Sequence, residues 1–294
     1  MKHNIGPFIT IIAGILWGFS GTCGQYIFER FPIDPSHLTA LRMLSAGFIL
    51  ICIGFIKNKD EMLKVRESAK DTIRIIVFGV FGVMLSSLTY MQAISYTNSG
   101  TATILQYTGP VLVMLFSCCT SRKLPTFKEF LAVILALVGT FFIATHGDFS
   151  TMVINTPGLV WGLLAAIALA LYTLIPGNLA EKYGSIPVTG YGMFSGGVVL
   201  YIISGAWNAE ITLDYRFFLA FVGIVVCGTI LSYSLYLKGL TMIGPVRGSM
   251  IASVEPVAAA VFMVVWLGAP FHYMDFIGFA CILATVFLLI KKEE

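Results

Sequence analysis

The chain has 294 residues, of which 57% are hydrophobic and only 11% charged, with a mean hydropathy of +0.89. A soluble globule of that composition has too little polar surface to cover itself, so the sequence reads as an integral membrane protein. The formal net charge of +3 is small, and nothing in it suggests a nucleic-acid partner.

A membrane-crossing helix needs about 20 mainly apolar residues. Ten runs meet that need: 7 to 28, 37 to 56, 73 to 96, 99 to 120, 127 to 145, 157 to 176, 188 to 206, 217 to 237, 245 to 267 and 272 to 290. They are continuously apolar rather than alternating, which argues against a β-barrel. The predicted fold class is an all-α integral membrane protein with ten transmembrane helices. The first run follows a short basic start, Met1 to Asn4, as in a signal peptide. It is too long for that role and no A-x-A-like cleavage pattern follows, so it reads as an uncleaved helix.

Short cytoplasmic loops retain Lys and Arg. With the N-terminus cytoplasmic, the inner segments collect Lys2, Lys57, Lys59, Lys64, Arg66, Lys70, Arg74, Arg122, Lys123, Lys128, Lys182, Lys238, Lys291 and Lys292, while the outer loops carry only Arg30 and Arg216. Ten crossings return the C-terminus to the same side, so both termini are expected in the cytoplasm. Cys23, Cys52, Cys118, Cys119, Cys227 and Cys281 all fall within spans and lack paired metal-ligand spacing, so they read as small packing residues.

The chain is a duplication. Tyr90, Ala93, Ile94, Gly100 and Pro110 stand opposite Tyr236, Gly239, Leu240, Val246 and Pro256, an offset of 146. With small drift, Gly14, Trp17 and Gly18 stand opposite Gly158, Trp161 and Gly162, and Thr39, Met43, Ser45 and Gly47 opposite Thr189, Met193, Ser195 and Gly197. Residues 1–146 and 147–294 each hold five crossings, an odd number, so the second copy enters the membrane from the opposite side. Two inverted five-helix repeats are a recurrent plan of secondary transporters, with the substrate site near the midplane where the repeats meet.

Pro110 and Pro256 sit within the fourth and ninth runs at matched positions. Each lacks an N–H and frees a backbone carbonyl, which in lipid needs a partner from protein or a water-filled cavity. Both runs are therefore placed beside a central pathway, the alternative being an ordinary tolerated kink. Small residues four apart, as in Gly14 with Gly18 and Gly158 with Gly162, let helix backbones approach closely, whether as sliding seams or as static packing.

The two Gly-x-x-Trp-Gly motifs at Gly14 to Gly18 and Gly158 to Gly162, and the segment from Gly239-Leu240 through Glu255-Pro256, set in ten helices and two repeats, resemble the EamA family of the drug/metabolite transporter superfamily. The likeness covers nearly the whole chain. It implies a multi-pass carrier of the plasma (inner) membrane built from two EamA-like repeats, commonly an exporter of amino acids or similar small metabolites, working without ATP hydrolysis or cofactors. Many members carry Gly-Glu after the fourth and ninth helices; here Arg122-Lys123 and Gly268-Ala269 stand there, and Glu129 and Asp275 follow a little later.

Glu255 is the leading candidate for chemistry. It lies about 15 Å into the ninth helix at 1.5 Å per residue, where a charge costs at least about 2.5 kcal/mol. Either it takes up a proton or binds a cationic group during a transport cycle, or it is a protonated acid bonded to carbonyls freed near Pro256. Arg42, a turn and a half into the second helix, either snorkels to the interface or faces the cavity as a carboxylate anchor or counter-ion to Glu255. Trp17, Tyr90, Gln92, Gln106, Tyr107, Trp161 and Tyr236 supply polar-tipped aromatics and amides to the same pathway, Trp161 having interfacial anchoring as its alternative. Lys238 and Arg247 read as positive-inside anchors.

An enzymatic reading has one foothold, Gly18-Phe19-Ser20-Gly21, similar to the Gly-x-Ser-Gly of intramembrane serine proteases. A serine nucleophile needs a base within hydrogen-bond reach, and His3, His37, His146 and His272 all lie at or near helix ends. No catalytic residue, metal or cofactor is assigned. The expected partners are a small-molecule substrate, the lipid bilayer and protons, with an uncoupled facilitator or channel as the alternative mechanism.

Overall fold

The structure, a computed structural model, describes residues 5–57, 59–97, 99–122, 124–148, 150, 155–209, 211, 214–268 and 272–290. Lys2, His3, Lys123, Ala269, Lys291 and Lys292 lie outside the described residues. Those described form helices and connecting turns with no strand among them. The long segments are α1 (Ile5–Arg30), α2 (Pro35–Lys57), α3 (Ala69–Tyr96), α4 (Ser99–Ser121), α5 (Phe127–Thr145), α6 (Thr156–Leu174), α7 (Ser185–Ser204), α8 (Tyr215–Ile243), α9 (Pro245–Leu267) and α10 (Tyr273–Ile290). Eight of them, α1 to α4 and α6 to α9, are long and apolar enough to cross a membrane. The chain is thus a multi-pass helical membrane protein. The polar connector expected from Lys57 to Asp71 is itself helical over Lys59–Glu67, and Ser68 caps the start of α3 by accepting the Asp71 N–H.

The packing pairs follow one pattern. α2 lies against α7 and α5 against α10. α3 and α4 both lie on α6, while α8 and α9 both lie on α1; α3 also touches α7, as α8 touches α2. Each of these contacts has a counterpart when the first five helices are exchanged with the last five.

A small-residue seam explains one of these approaches. A Cβ on Gly18 would sit 2.6 Å from the Ala259 nitrogen and 2.7 Å from the Glu255 carbonyl oxygen, and one on Gly14 would sit 2.8 Å from the Ala252 carbonyl oxygen. Only glycine lets the α1 backbone lie that close to α9. The glycine pair in α1 thus faces the stretch of α9 that carries Glu255.

Four helices depart from regular α geometry, again in matched pairs. α3 contains a π-helical stretch at Phe78–Met84 and α8 one at Val226–Leu231. Gly82 and Gly228 fall at the same repeat position inside them. In α8 the Thr229 hydroxyl donates to the Ile224 carbonyl five residues back, 2.8 Å away, satisfying a group that the wider turn would leave loose. α4 and α9 are broken. In α4 the helix from Ser99 ends at Gln106, a turn follows at Tyr107 and Thr108, and a second helix starts at Gly109 with Pro110 in its first turn. In α9 a 3-10 stretch at Ala252–Val254 separates Pro245–Ile251 from a helix that starts at Glu255 with Pro256 in its first turn. Both prolines thus open a second half-helix rather than kink a continuous one, because a first-turn proline lacks only an N–H that had no helical partner.

Candidate functional site

The breaks in α4 and α9 face each other across the bundle. Tyr107, in the α4 break, reaches the α9 break with its hydroxyl, which lies 2.9 Å from Glu255 Oε2 and 2.8 Å from the Ala252 carbonyl oxygen. Ala252 is four residues before Pro256, so its carbonyl is the one left without a regular helical donor. It accepts the Tyr107 hydroxyl and, in 3-10 fashion, the Glu255 N–H. A tyrosine from one half thus completes the backbone of the other.

Glu255 and Arg42 both open onto one cavity, lined also by Trp17, Ser20, Tyr90, Gln106 and Tyr233. Both are buried, Arg42 at 3% exposure and Glu255 at 7%. Arg42 therefore lines the cavity and does not reach out to the membrane interface. Its Nε is buried without a hydrogen-bond partner, and no ion pair joins it to Glu255. A buried guanidinium without a bonded anion is costly in a low-dielectric interior, which makes the cavity a place where an anionic group gains. The cavity measures about 40 Å³, room for about three waters. An organic solute needs it to widen.

One end of the cavity is floored by aromatic rings. Trp17 packs with its ring centre 4.9 Å from Tyr236, 5.2 Å from Tyr233 and 6.4 Å from Tyr172, and Phe78 stacks on Tyr172 at 5.5 Å. Each hydroxyl has a partner, as buried tyrosines require. Tyr233 shares a bond with Ser87 at 2.9 Å, Tyr236 with Thr173 at 3.1 Å, and Tyr172 donates to the Tyr233 carbonyl at 3.3 Å. Tyr172 lies at the C-terminal end of α6 and Phe78 in the first half of α3, so this layer closes the end of the bundle at which α1 begins.

Beyond the floor, on the same end, a polar clasp joins α3 to the α6–α7 connection. Asp71 Oδ2 accepts Lys182 Nζ at 2.6 Å and the Tyr183 hydroxyl at 2.7 Å, while Oδ1 lies 3.4 Å from Arg74 Nη1. The Asp71 carboxylate holds the Lys182 ammonium above its ordinary range. The lysine is half exposed, so solvent screens the ion pair and it adds little by itself. The buried tyrosine bond gives the clasp its geometry.

The sequence candidates divide between the cavity and its surroundings. Trp17, Arg42, Tyr90, Gln106 and Glu255 line it. Tyr107, Pro110 and Pro256 shape the helix breaks around it, and Tyr236 belongs to the floor. Tyr90 is fixed by Thr103, 2.9 Å away. Gln92 stands apart at the far end of α3, donating to the Ser36 hydroxyl at 2.9 Å and tying α3 to the start of α2. Trp161 is partly buried and packs on the cluster of Tyr90, Met91, Ala93, Ile94, Ala102 and Ala165. Sequence reasoning passed over Tyr172, Tyr233 and Ser87. Their signal was present, since a polar-tipped residue deep in an apolar run is the criterion that selected Tyr236. Ser20 does line the cavity, but His37 is bound to the Ser204 carbonyl and His146 and His272 lie beside Asp275, so no described histidine serves it as a base.

A helical membrane protein with broken helices meeting at a buried, partly charged cavity has the build of a solute transporter. The chain belongs to the EamA-like transporter family, whose model matches residues 4–145 and 156–291. Its relatives are named as transporters and not as enzymes. It is 34% identical to the uncharacterised inner membrane transporter YicL of Salmonella typhimurium, over 97% of this chain and 94% of that one. It is also 26% identical to the threonine/homoserine exporter RhtA of Escherichia coli, over 89% of this chain and 85% of that one. A solved crystal structure superposes with a TM-score of 0.79 at 16% identity, covering 96% of this chain and 95% of the other, a likeness of fold.

Proposed function

We propose that the protein is a secondary carrier that exports amino acids or similar small metabolites across the plasma membrane by alternating access, coupled to protons through Glu255. The observation that carries this reading is the pairing of an unbonded, buried Arg42 with a buried Glu255 in one cavity. A zwitterion offers each of them its complement, a carboxylate for the guanidinium and an ammonium for the carboxylate. The relation to a threonine/homoserine exporter supports the same substrate class.

The topology proposed with it has ten crossings, α5 and α10 included, as two inverted five-helix repeats, residues 1–146 and 147–294, with both termini cytoplasmic. The exchange pattern of helix contacts supports the repeat. In that orientation the aromatic floor and the Asp71 clasp lie on the cytoplasmic side. Opening inward requires the floor to part.

The test is transport of an amino-acid panel in vesicles with an imposed proton gradient. Acceleration of efflux by an inward gradient is the expected result, and Glu255→Gln abolishes it. Indifference to the gradient rejects coupling, and full transport by Glu255→Gln rejects the central role of that acid. Counterflow, which a carrier shows and a channel does not, separates the two mechanisms.

A further inference from the structure

A second cluster of chemistry-bearing side chains lies away from the cavity, where the end of α5 meets the start of α10. His146 terminates α5 in the left-handed backbone region, at φ 53°. His272 directly precedes α10, and Asp275 stands in its first turn. The Asp275 side chain is only 2% exposed. Its Oδ1 lies 2.6 Å from His146 Nδ1, and its Oδ2 accepts the His272 backbone N–H at 2.8 Å. The two imidazole rings face each other with centres 4.2 Å apart. One donor atom from each of the three residues can be chosen so that all lie within 4.8 Å of one another.

A carboxylate this buried needs compensating charge. Among the described residues no lysine or arginine pairs with Asp275; its partners are an imidazole and a backbone amide. Two imidazoles and one carboxylate converging on one point are the donor set of borderline divalent cations such as Zn²⁺, Ni²⁺ and Cu²⁺. Ca²⁺ and Mg²⁺ prefer all-oxygen surroundings. Bonds of about 2.0–2.1 Å place neighbouring donors around a tetrahedral ion at roughly 3.4 Å. The close His146–Asp275 pair would open by less than about 1 Å and the widest pair would close by about as much as 1.4 Å, shifts that side-chain rotation at a helix end supplies. His272 is exposed, which leaves the cluster an entry path and a free position for water.

We propose that His146, His272 and Asp275 form a binding site for a divalent transition-metal cation, typified by Zn²⁺, that staples α5 to α10. These are the last helix of each half, so the ion ties the two halves together at the rim. By the distribution of lysine and arginine that rim faces outward, where the site samples external metal. The staple is independent of the transport cavity and of the substrate it takes.

The experiment uses the full chain purified in detergent and stripped with a chelator, titrated calorimetrically with ZnCl₂ and followed by thermal unfolding. The expected result is one saturable site per chain and a raised unfolding midpoint. His272→Ala removes an exposed ligand that the fold does not need, and His146→Ala removes a second; each weakens binding by at least about tenfold. Co²⁺ in place of Zn²⁺ gives visible d–d bands without the near-ultraviolet thiolate charge transfer that Cys52 or Cys119 would produce. The proposal is overturned if the wild type shows no saturable binding, if both histidine variants bind as tightly as wild type, or if the Co²⁺ spectrum carries the thiolate band.

Discussion

Tyr107→Phe removes a single oxygen from the point where the two broken helices meet. That hydroxyl lies 2.9 Å from Glu255 Oε2 and 2.8 Å from the Ala252 carbonyl oxygen, and it has one proton to share between them. Tyr107 is 3% exposed and Glu255 7%, so only the few waters that the cavity can hold compete for the place of the lost donor. Ala252 keeps the Glu255 N–H, which limits the loss at the backbone; Glu255 Oε2 loses its protein donor outright. An unsatisfied buried acceptor costs about 1–3 kcal/mol, which corresponds to roughly 5- to 150-fold in the folded-to-unfolded ratio. The ring itself stays, so packing is unchanged and no cavity is created. Thermal unfolding of the purified variant beside wild type reads the stability change, and efflux from vesicles reads the function. The expected outcome is a lower unfolding midpoint with transport impaired, and with Tyr107→Phe in a Glu255→Gln background costing less than in wild type, because part of the bond is already altered. A variant that unfolds with wild-type stability and transports at the wild-type rate would refute the view that this hydroxyl joins the two halves.

Gly18→Ala and Gly21→Ala test the seam between α1 and α9 with the same added methyl in the same helix. The first meets backbone atoms at 2.6 and 2.7 Å, whereas the second meets only the Tyr90 hydroxyl at 3.3 Å and the Ser99 hydroxyl at 3.5 Å; the first is expected to be less stable than the second by about 1–3 kcal/mol, and equal unfolding midpoints would sink the packing argument. Asp71→Asn weakens the clasp to Lys182 and Tyr183, so cysteines placed at the inner face of the floor should label faster from the cytoplasmic side, with unchanged labelling as the contrary result. Because the partner raises Lys182 above the ordinary lysine value, the lysine keeps its charge through the neutral range and gives it up only as pH rises through the raised value. Labelling of the wild type should therefore be flat across the neutral range, and a rise there would show that another group controls the clasp. Arg42→Gln keeps a polar group in the cavity but removes its charge. Uptake and efflux of carboxylate-bearing solutes should fall at least about tenfold, the loss of one charge-assisted bond of about 1.5–3 kcal/mol, and retention of full transport would exclude Arg42 as the anion anchor.

The membrane class and the long helices could be read from the chain because both rest on properties that add up along it. Apolar runs of sufficient length, the matched positions of Pro110 and Pro256 and the depth of Glu255 need no knowledge of neighbours. The prolines also announced irregular backbone, although not its form, since a first-turn proline after a break and a kink in a continuous helix have the same sequence. Arg42 shows the limit more sharply. Its depth allowed either snorkelling or burial, and only the helices packed around α2 decide which way it turns.

What the sequence by itself determined is that the chain is a multi-pass helical membrane protein, because hydrophobic transfer and backbone hydrogen bonding are local requirements of each segment. What only the tertiary structure decided is which faces meet. These helices are apolar nearly all round, so the chain carries little periodic contrast to show their inward sides. The cavity draws residues from α1, α2, α3, α4, α6, α8 and α9, and the tyrosine of one half that satisfies the broken backbone of the other is visible only once the helices are packed.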